Sequence, residues 1–118
     1  MDFVTAVVDR GLALGVVKDG GAVELKELAV VEVPSETYLK EIERIVAEVG
    51  GWDQLHRWFL RTTGDSFTSL RGLVALVNVL VPLHGLELHT FADTPSKAAL
   101  TPPPVDPVYA SEPNITLS

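Results

Sequence analysis

Apolar runs and turn residues alternate over the first part of the chain in a pattern typical of short β-strands. An apolar, β-branched run from Phe3 to Val8 and a second apolar run from Leu12 to Lys18 flank the tight turn Asp9-Arg10-Gly11. The segment Asp19-Gly20-Gly21 is a second hairpin signal, because glycine supplies the positive φ that such turns need. A third run extends from Ala22 to Val33. The pattern therefore predicts an antiparallel meander of three strands.

An amphipathic helix is predicted after the meander. Pro34 ends the third strand, and Ser35 is suited to cap a helix from Glu36 to about Val49. Apolar side chains recur on one stripe of this segment, whereas lysine, arginine and glutamate take the other side. Gly50-Gly51 ends the helix, because glycine accepts the left-handed cap conformation.

A second predicted helix differs from the first because it has almost no polar face. Asp65 or Ser66 caps it, it runs to about Leu80, and Pro82 stops its continuation. A helix that is apolar on most of its sides must be covered on more than one side. We expect another polypeptide to supply part of that cover, which indicates a subunit of an assembly.

Two further strands complete the predicted core. The fourth runs from about His56 to Arg61 and leads into the turn Thr62 to Asp65, and the fifth runs from Leu86 to Phe91. The order β-β-β-α-β-α-β has few right-handed solutions. We expect one α/β domain, residues 1–91, with a mixed five-stranded sheet and both helices on one face.

A proline-rich tail, residues 92–118, follows the predicted domain. Its prolines exclude a regular helix and a central strand. We expect the tail to be extended and to pack on the core, over the face of the sheet that the helices leave bare. The side chains available for this contact are Leu100, Val105, Val108 and Tyr109.

Composition and charge limit the class of function. The chain has 118 residues, no cysteine and a net charge of −7, which fits one domain and excludes disulfide and thiolate chemistry. Direct binding of nucleic acid usually needs a basic patch, whereas the nine lysines and arginines are scattered. No apolar run is predicted to span a bilayer. We therefore expect a cytoplasmic protein without membrane contact, in a system where a partner holds any nucleic acid.

The polar residues do not indicate a catalytic or metal centre. A nuclease needs several carboxylates that converge on two metal ions, and Asp9 and Asp65 are explained more simply as a turn residue and a helix cap. Ser66 lies in no nucleophile elbow. None of the histidines has the spacing of metal ligands; they are His56, His84 and His89. We expect no catalytic residue, no metal and no cofactor.

Four short segments carry a family resemblance. Asp9 stands where the family has Asp-Thr-Ser at the end of its first strand, and Ser35-Glu36 keeps part of a His-Ser-Glu motif at the first helix. The segment Ser66-Phe67-Thr68-Ser69-Leu70-Arg71 matches the signature Gly-Pro-Gly-Ser-Phe-Thr-Gly-Leu-Arg, with Ser69 for the last glycine. Pro107-Val108-Tyr109 is similar to a C-terminal Pro-x-Tyr-Leu-Arg segment. In these motifs the chain resembles the TsaB (YeaZ-type) family, glycoprotease-like subunits of the bacterial machinery that makes threonylcarbamoyladenosine in tRNA.

The resemblance implies a half-domain of the ribonuclease-H-like fold of actin-like ATPases, with the second lobe largely missing. A half-cleft cannot clamp a triphosphate or exclude water, so we expect no ATP hydrolysis. Besides Ser69, the chain departs from the family motifs in three further places: Thr63-Gly64-Asp65 replaces Gly-Pro-Gly, Arg10-Gly11 replaces Thr-Ser, and Ala110-Ser111 replaces Leu-Arg. These departures indicate a reduced or divergent member.

The function that the resemblance implies is that of a non-catalytic scaffold. Such a subunit binds and stabilises a TsaD-type catalytic subunit, has a TsaE-type ATPase as a further partner, and contacts tRNA only indirectly. TsaB-type proteins pack their first two helices on a second copy or on the catalytic subunit. The expected partner-binding residues are Leu39, Ile42, Val46, Ser66, Leu70, Arg71, Leu73, Val74 and Val77.

Two other functions remain open at this point. A homodimeric adaptor with the same core and no tRNA role would use the same two helices. A metal-dependent nuclease would belong to a different class of protein, and metal binding would distinguish it from a scaffold.

Overall fold

The computed structural model describes residues 1–18, 25 and 28–106 of the chain, and these residues build a mixed six-stranded sheet. The strands are β1 (Asp2–Val8), β2 (Gly11–Val17), β3 (Ala29–Val31), β4 (Arg57–Gly64), β5 (Glu87–Phe91) and β6 (Ala99–Leu100). Their order across the sheet is β3-β2-β1-β4-β5-β6. The neighbours β1, β4 and β5 are parallel, and the other pairs are antiparallel.

Two α-helices pack on the same face of this sheet. They are α1 (Tyr38–Glu48) and α2 (Phe67–His84). Buried side chains of both helices share one apolar cluster with alternate residues of the strands, as the side-chain period of two requires for one face of a sheet. The strand residues of this cluster are Phe3, Val7, Leu12, Leu14, Trp58, Leu60 and Leu88. The helix pair therefore lies over the centre of the sheet and closes the main core.

The predicted meander is present, with a much shorter third strand. Val8 pairs with Gly11 around the predicted tight turn. Gly11 has a φ of 148°, and a Cβ at this position would collide with the carbonyl oxygen of Val31. β3 begins at Ala29 instead of Ala22. The predicted hairpin signal at residues 19–21 lies outside the described residues.

The face without helices is covered in part by apolar residues that precede β3. Leu28 donates its backbone N–H to the carbonyl oxygen of Leu25 over 3.1 Å, and neither leucine belongs to β3, although both lie where a strand was predicted. A Cβ at Gly15 would come within 2.9 Å of Leu28 Cδ2, so the leucine side chain lies against β2. Glycine at position 15 thus permits the close approach of this segment.

The second helix extends further than predicted. It continues through Pro82 to His84, and the next residue, Gly85, caps it with the left-handed φ of 67°. Leu86 donates its backbone N–H to the carbonyl oxygen of Val81 over 2.9 Å, as in a glycine-based helix end. Pro82 lies in the last turn and removes one N–H, but the residues after it still complete the turn. The prediction that Pro82 stops the helix is therefore wrong, and Gly85 is the stop signal.

The fourth strand is also longer than predicted, and the sheet gains a sixth strand. β4 includes Thr62 and Thr63, whose hydroxyl groups bond the carbonyl oxygens of Phe91 and Ala92 at the end of β5 over 3.4 and 2.9 Å. β6 lies in the segment that was predicted to be an extended tail. It is only two residues long and occupies an edge, a position in which neighbouring prolines are tolerated.

The C-terminal segment packs on the helix side of the molecule rather than on the bare face. Val105 is buried and belongs to the same apolar cluster as α1 and α2, whereas Leu100 remains exposed. The expectation that they cover the bare face is therefore wrong for Val105, whereas Leu100 pairs with His89 on the bare face and stays exposed there. Val108 and Tyr109 lie outside the described residues.

Candidate partner-binding surface

Burial separates the predicted partner-binding residues into two groups. The first group lies in the core, with side chains that are at most 3% exposed: Ile42, Val46, Leu70, Leu73, Val74 and Val77. A side chain in this position cannot contact a second chain while the domain stays folded. We therefore correct the assignment of these residues from partner contacts to core contacts, since the stripe they form on each helix faces the sheet.

The second group remains accessible. Leu39 on α1 is 37% exposed, and Arg71 on α2 is exposed. Ser66 is half-buried and caps α2, because its hydroxyl oxygen accepts a hydrogen bond from the backbone N–H of Ser69 over 3.3 Å. Its role as a helix cap is confirmed, and partner contact by these three residues stays a prediction.

The outward side of α2 carries an apolar surface that we call the α2 crown, formed by Ala75, Val79, Pro82 and Leu83. Val79 is 61% exposed and Leu83 is 68% exposed. No charged residue occurs in the chain from position 72 to position 83. Surface helices normally place charged residues on their solvent side. The crown therefore has the composition of a contact surface.

An aromatic and a cationic side chain extend the crown toward the start of α2. Phe67 is 54% exposed, and the guanidinium carbon of Arg71 lies 5.8 Å from the centre of its ring. Residues at a spacing of four follow one ridge of a helix. The ridge here runs through Phe67, Arg71, Ala75, Val79 and Leu83.

Other parts of the chain border the crown on both sides. Gly72 packs closely against Ser35, because a Cβ added to the glycine would lie only 3.4 Å from the Cβ of the serine. On the other flank, Asn78 forms two hydrogen bonds of 2.8 Å with the backbone of Val105. The crown is thus a strip that opens to solvent between the segment around Ser35, just before α1, and the C-terminal segment.

The outer face of α1 has a different character. Arg44 forms ion pairs with Glu41 over 3.0 Å and with Glu48 over 2.9 Å. Exposed pairs of this kind are solvated and contribute little to stability. This face therefore resembles an ordinary solvent-exposed helix surface.

The bare face of the sheet carries polar groups that pair with one another. Arg57 donates to both carboxylate oxygens of the buried Asp2 over 3.0 and 2.6 Å, and its guanidinium lies 5.2 Å from the centre of the Phe59 ring. That ring stacks on His89 at 5.0 Å, and His89 contacts Glu87 over 2.9 Å. This row of contacts gives the bare face a more polar character than the crown.

The acidic residues that the structure describes do not form a metal centre. Asp9 and Asp65 are exposed and follow the neighbouring strands β1 and β4. Within the described residues, no three side chains of histidine, cysteine, aspartate or glutamate lie in a group that could hold a metal ion. The geometry therefore offers no support for a nuclease centre in this part of the chain.

Two of the histidines have local roles at the end of the sheet where the parallel strands begin. His84, in the last turn of α2, stacks on Trp52 with the ring centres 4.0 Å apart. The Nδ1 atom of His56 lies 3.2 Å from the N-terminal nitrogen of Met1. Both contacts are structural in character.

The length and composition of α2 also meet the criterion for a membrane span. The helix has 18 mostly apolar residues, contrary to the expectation that no apolar run is long enough. A core helix of a globular domain meets the same criterion, and one side of α2 packs on the sheet through Leu73, Val77 and Leu80. The hydropathy of α2 is therefore accounted for by a core stripe together with the crown.

Comparisons with known proteins identify a similar fold. No protein-family model matches the chain, and no curated protein sequence matches it. The solved structure of YeaZ from Pseudomonas aeruginosa is similar, with a TM-score of 0.53 and 14% sequence identity over 77% of this chain. The chain spans 43% of that protein's length. A similarity of this size shows that the chain has a YeaZ-like α/β fold.

Proposed function

We propose that this chain is a non-catalytic scaffold subunit that binds and stabilises a TsaD-type catalytic subunit in threonylcarbamoyl modification of tRNA. The YeaZ-like fold supports the proposal at the level of architecture. The segment Ser66 to Arg71 supports it at the level of sequence, because it resembles the TsaB signature and starts α2. The observation that carries the proposal is the exposed α2 crown.

The chemistry of the crown suits a partner helix. Val79 and Leu83 offer aliphatic surface, and the small Ala75 between Arg71 and Val79 permits close approach of a second backbone. A specific interface of ordinary size buries about 800 Å² on each partner. Apolar burial contributes roughly 25 cal/mol per Å², although the entropy of association offsets much of this gain.

The net charge of this chain indicates which subunit of the proposed assembly holds the tRNA. With a net charge of −7, this chain is poorly suited to replace counterions at tRNA phosphates. In the proposed assembly the catalytic subunit holds the tRNA and performs the transfer, a TsaE-type ATPase is a further partner, and this chain contacts tRNA only indirectly. The assembly belongs to the cytoplasm, and this subunit has no membrane contact.

The experiment that tests the proposal is size-exclusion chromatography with light scattering, on this chain alone and mixed with the TsaD-type subunit of the same source. We expect a stoichiometric complex with the mass of both subunits. Elution of two separate species at tens of micromolar would contradict the proposal.

A homodimeric adaptor remains the second candidate because the crown is suited to self-association. Its ridge is symmetric about Ala75, with the exposed Phe67 and Leu83 at equal distances on either side. An antiparallel pair of α2 helices would place Phe67 of one copy against Leu83 of the other. A homodimer that persists unchanged in the presence of the TsaD-type subunit would favour this function.

A further inference from the structure

The C-terminal strap, which we define as residues 101–106, is attached to the domain by specific contacts. Thr101 donates its backbone N–H to the carbonyl oxygen of Leu88 over 2.8 Å, and its hydroxyl lies 2.8 Å from that of Thr90. At the other end, Val105 is 8% exposed and joins the main apolar cluster. The strap therefore runs from the edge of the sheet to the flank of α2.

Asn78 holds the strap at the flank of α2 through the nitrogen and the oxygen of its side-chain amide. Its Nδ2 donates to the carbonyl oxygen of Val105 over 2.8 Å, and the backbone N–H of Val105 donates to its Oδ1 over 2.8 Å. The side chain of Asn78 thus forms hydrogen bonds with both the N–H and the C=O of Val105, as the backbone of a neighbouring strand would. This arrangement recognises an extended backbone, and the apolar site beside it accepts the Val105 side chain.

The prolines before Val105 fix which residue Asn78 can bind. Pro102, Pro103 and Pro104 have no backbone N–H, so Val105 carries the first N–H after Thr101. Proline also restricts φ, which lowers the entropy that an extended segment loses when it is bound. The register of the strap is therefore specified by its sequence as well as by the groove.

We propose that the flank of α2 around Asn78 is a binding groove for an extended, proline-preceded segment, and that the strap of a second copy of this chain binds there when the chain's own strap is displaced. Each copy carries both the groove and a segment that fits it, so exchange between copies would form the same hydrogen bonds and apolar contact. The chain's own strap is favoured by its high effective concentration. This inference is independent of the α2 crown, because Val105 and Asn78 lie on the flank.

A labelled peptide with the sequence of residues 101–106 tests the groove by fluorescence anisotropy. Val105→Glu in the full chain is expected to displace the strap and to bind the peptide saturably, at least tenfold more tightly than the wild-type chain. Adding Asn78→Leu to Val105→Glu should weaken that binding tenfold or more, because the amide that pairs with the peptide backbone is lost. Absence of peptide binding to the folded Val105→Glu chain would overturn the proposal, and so would equal binding by the double variant.

Two controls keep this experiment decisive. Val105→Gly leaves the apolar site empty without introducing a charge, and it replaces Val105→Glu if circular dichroism shows that the glutamate variant is unfolded. Val79→Glu in the Val105→Glu background alters the crown and should leave peptide affinity within twofold. The peptide experiment therefore tests the groove alone, and its result does not depend on whether the proposed scaffold function is correct.

Discussion

At the scale of single residues, a buried hydrogen bond links the first and fourth strands. The indole Nε1–H of Trp58 donates to the hydroxyl oxygen of Thr5 over 2.9 Å, and both residues are 0% exposed. The ring of Phe3 meets the indole edge-on at a centre distance of 4.8 Å. Because a buried polar group without a partner costs free energy, this pair specifies the lateral alignment of β1 and β4.

Replacing Thr5 by valine tests the contribution of this bond. Thr5→Val keeps the shape of the side chain but leaves the Trp58 N–H without its partner, so we expect a loss of about 1–3 kcal/mol in the free energy of unfolding. Urea denaturation followed by tryptophan fluorescence measures this loss. Thr5→Ser is the control and should retain most of the stability because it keeps the hydroxyl. Equal losses from the two substitutions would show that the methyl group, and not the hydrogen bond, is important.

This bond also shows a limit of sequence analysis at the residue scale. Threonine in an apolar run favours a strand, which was predicted correctly, but nothing local indicates that its hydroxyl meets an indole 53 positions later. The helix cap at Ser66 could be predicted because its partner, Ser69, is only three residues away. Polar contacts between distant segments become visible only when the fold is known.

At the scale of elements, α2 has two apolar sides with different roles. Val77 faces the sheet and is 0% exposed, whereas Val79 faces solvent. The sequence predicted an apolar helix that needs cover on more than one side, but it could not indicate which stripe faces the sheet because both stripes are aliphatic. For this reason, core residues were assigned to the partner surface and Val79 and Leu83 were missed.

Charge substitutions at these two positions should separate the two sides of α2. Val77→Glu places a carboxylate in the core and is expected to cost more than about 4 kcal/mol, which is a large fraction of the stability of a domain of this size. Val79→Glu should change the free energy of unfolding by about 0.5 kcal/mol or less. Thermal unfolding followed by circular dichroism distinguishes these outcomes. Similar melting temperatures for the two variants would contradict the orientation of α2.

At the same scale, the errors in element boundaries have physical causes. β1, α1 and β5 agree with the predicted elements to within a few residues, because their apolar periodicity and turn signals are local. The two-residue strand β6 was missed because prolines surround it, and its pairing with β5 depends on the edge of a sheet that forms elsewhere in the chain. β3 was predicted too long because Leu25 and Leu28 have the apolar character of strand residues but lie outside the strand, joined by a local hydrogen bond.

At the scale of the whole molecule, the surfaces differ in how much of each one is covered by contacts within the chain. Ion pairs cover the outer face of α1, polar and aromatic contacts cover much of the bare sheet face, and the strap covers one flank of α2. The crown combines high exposure with an absence of charge from position 72 to position 83. The proposed function assigns the crown to a partner.

The most direct test of this account is a calorimetric titration of the TsaD-type subunit with the wild-type chain, Val79→Glu and Leu100→Glu. Leu100 is 58% exposed on β6 and is a matched control, because it is a large apolar residue outside the crown. We expect Val79→Glu to weaken binding at least tenfold, which corresponds to about 1.4 kcal/mol, and Leu100→Glu to bind as tightly as the wild type. Wild-type affinity for Val79→Glu, or an equal loss for both variants, would contradict the assignment of the crown as the docking surface.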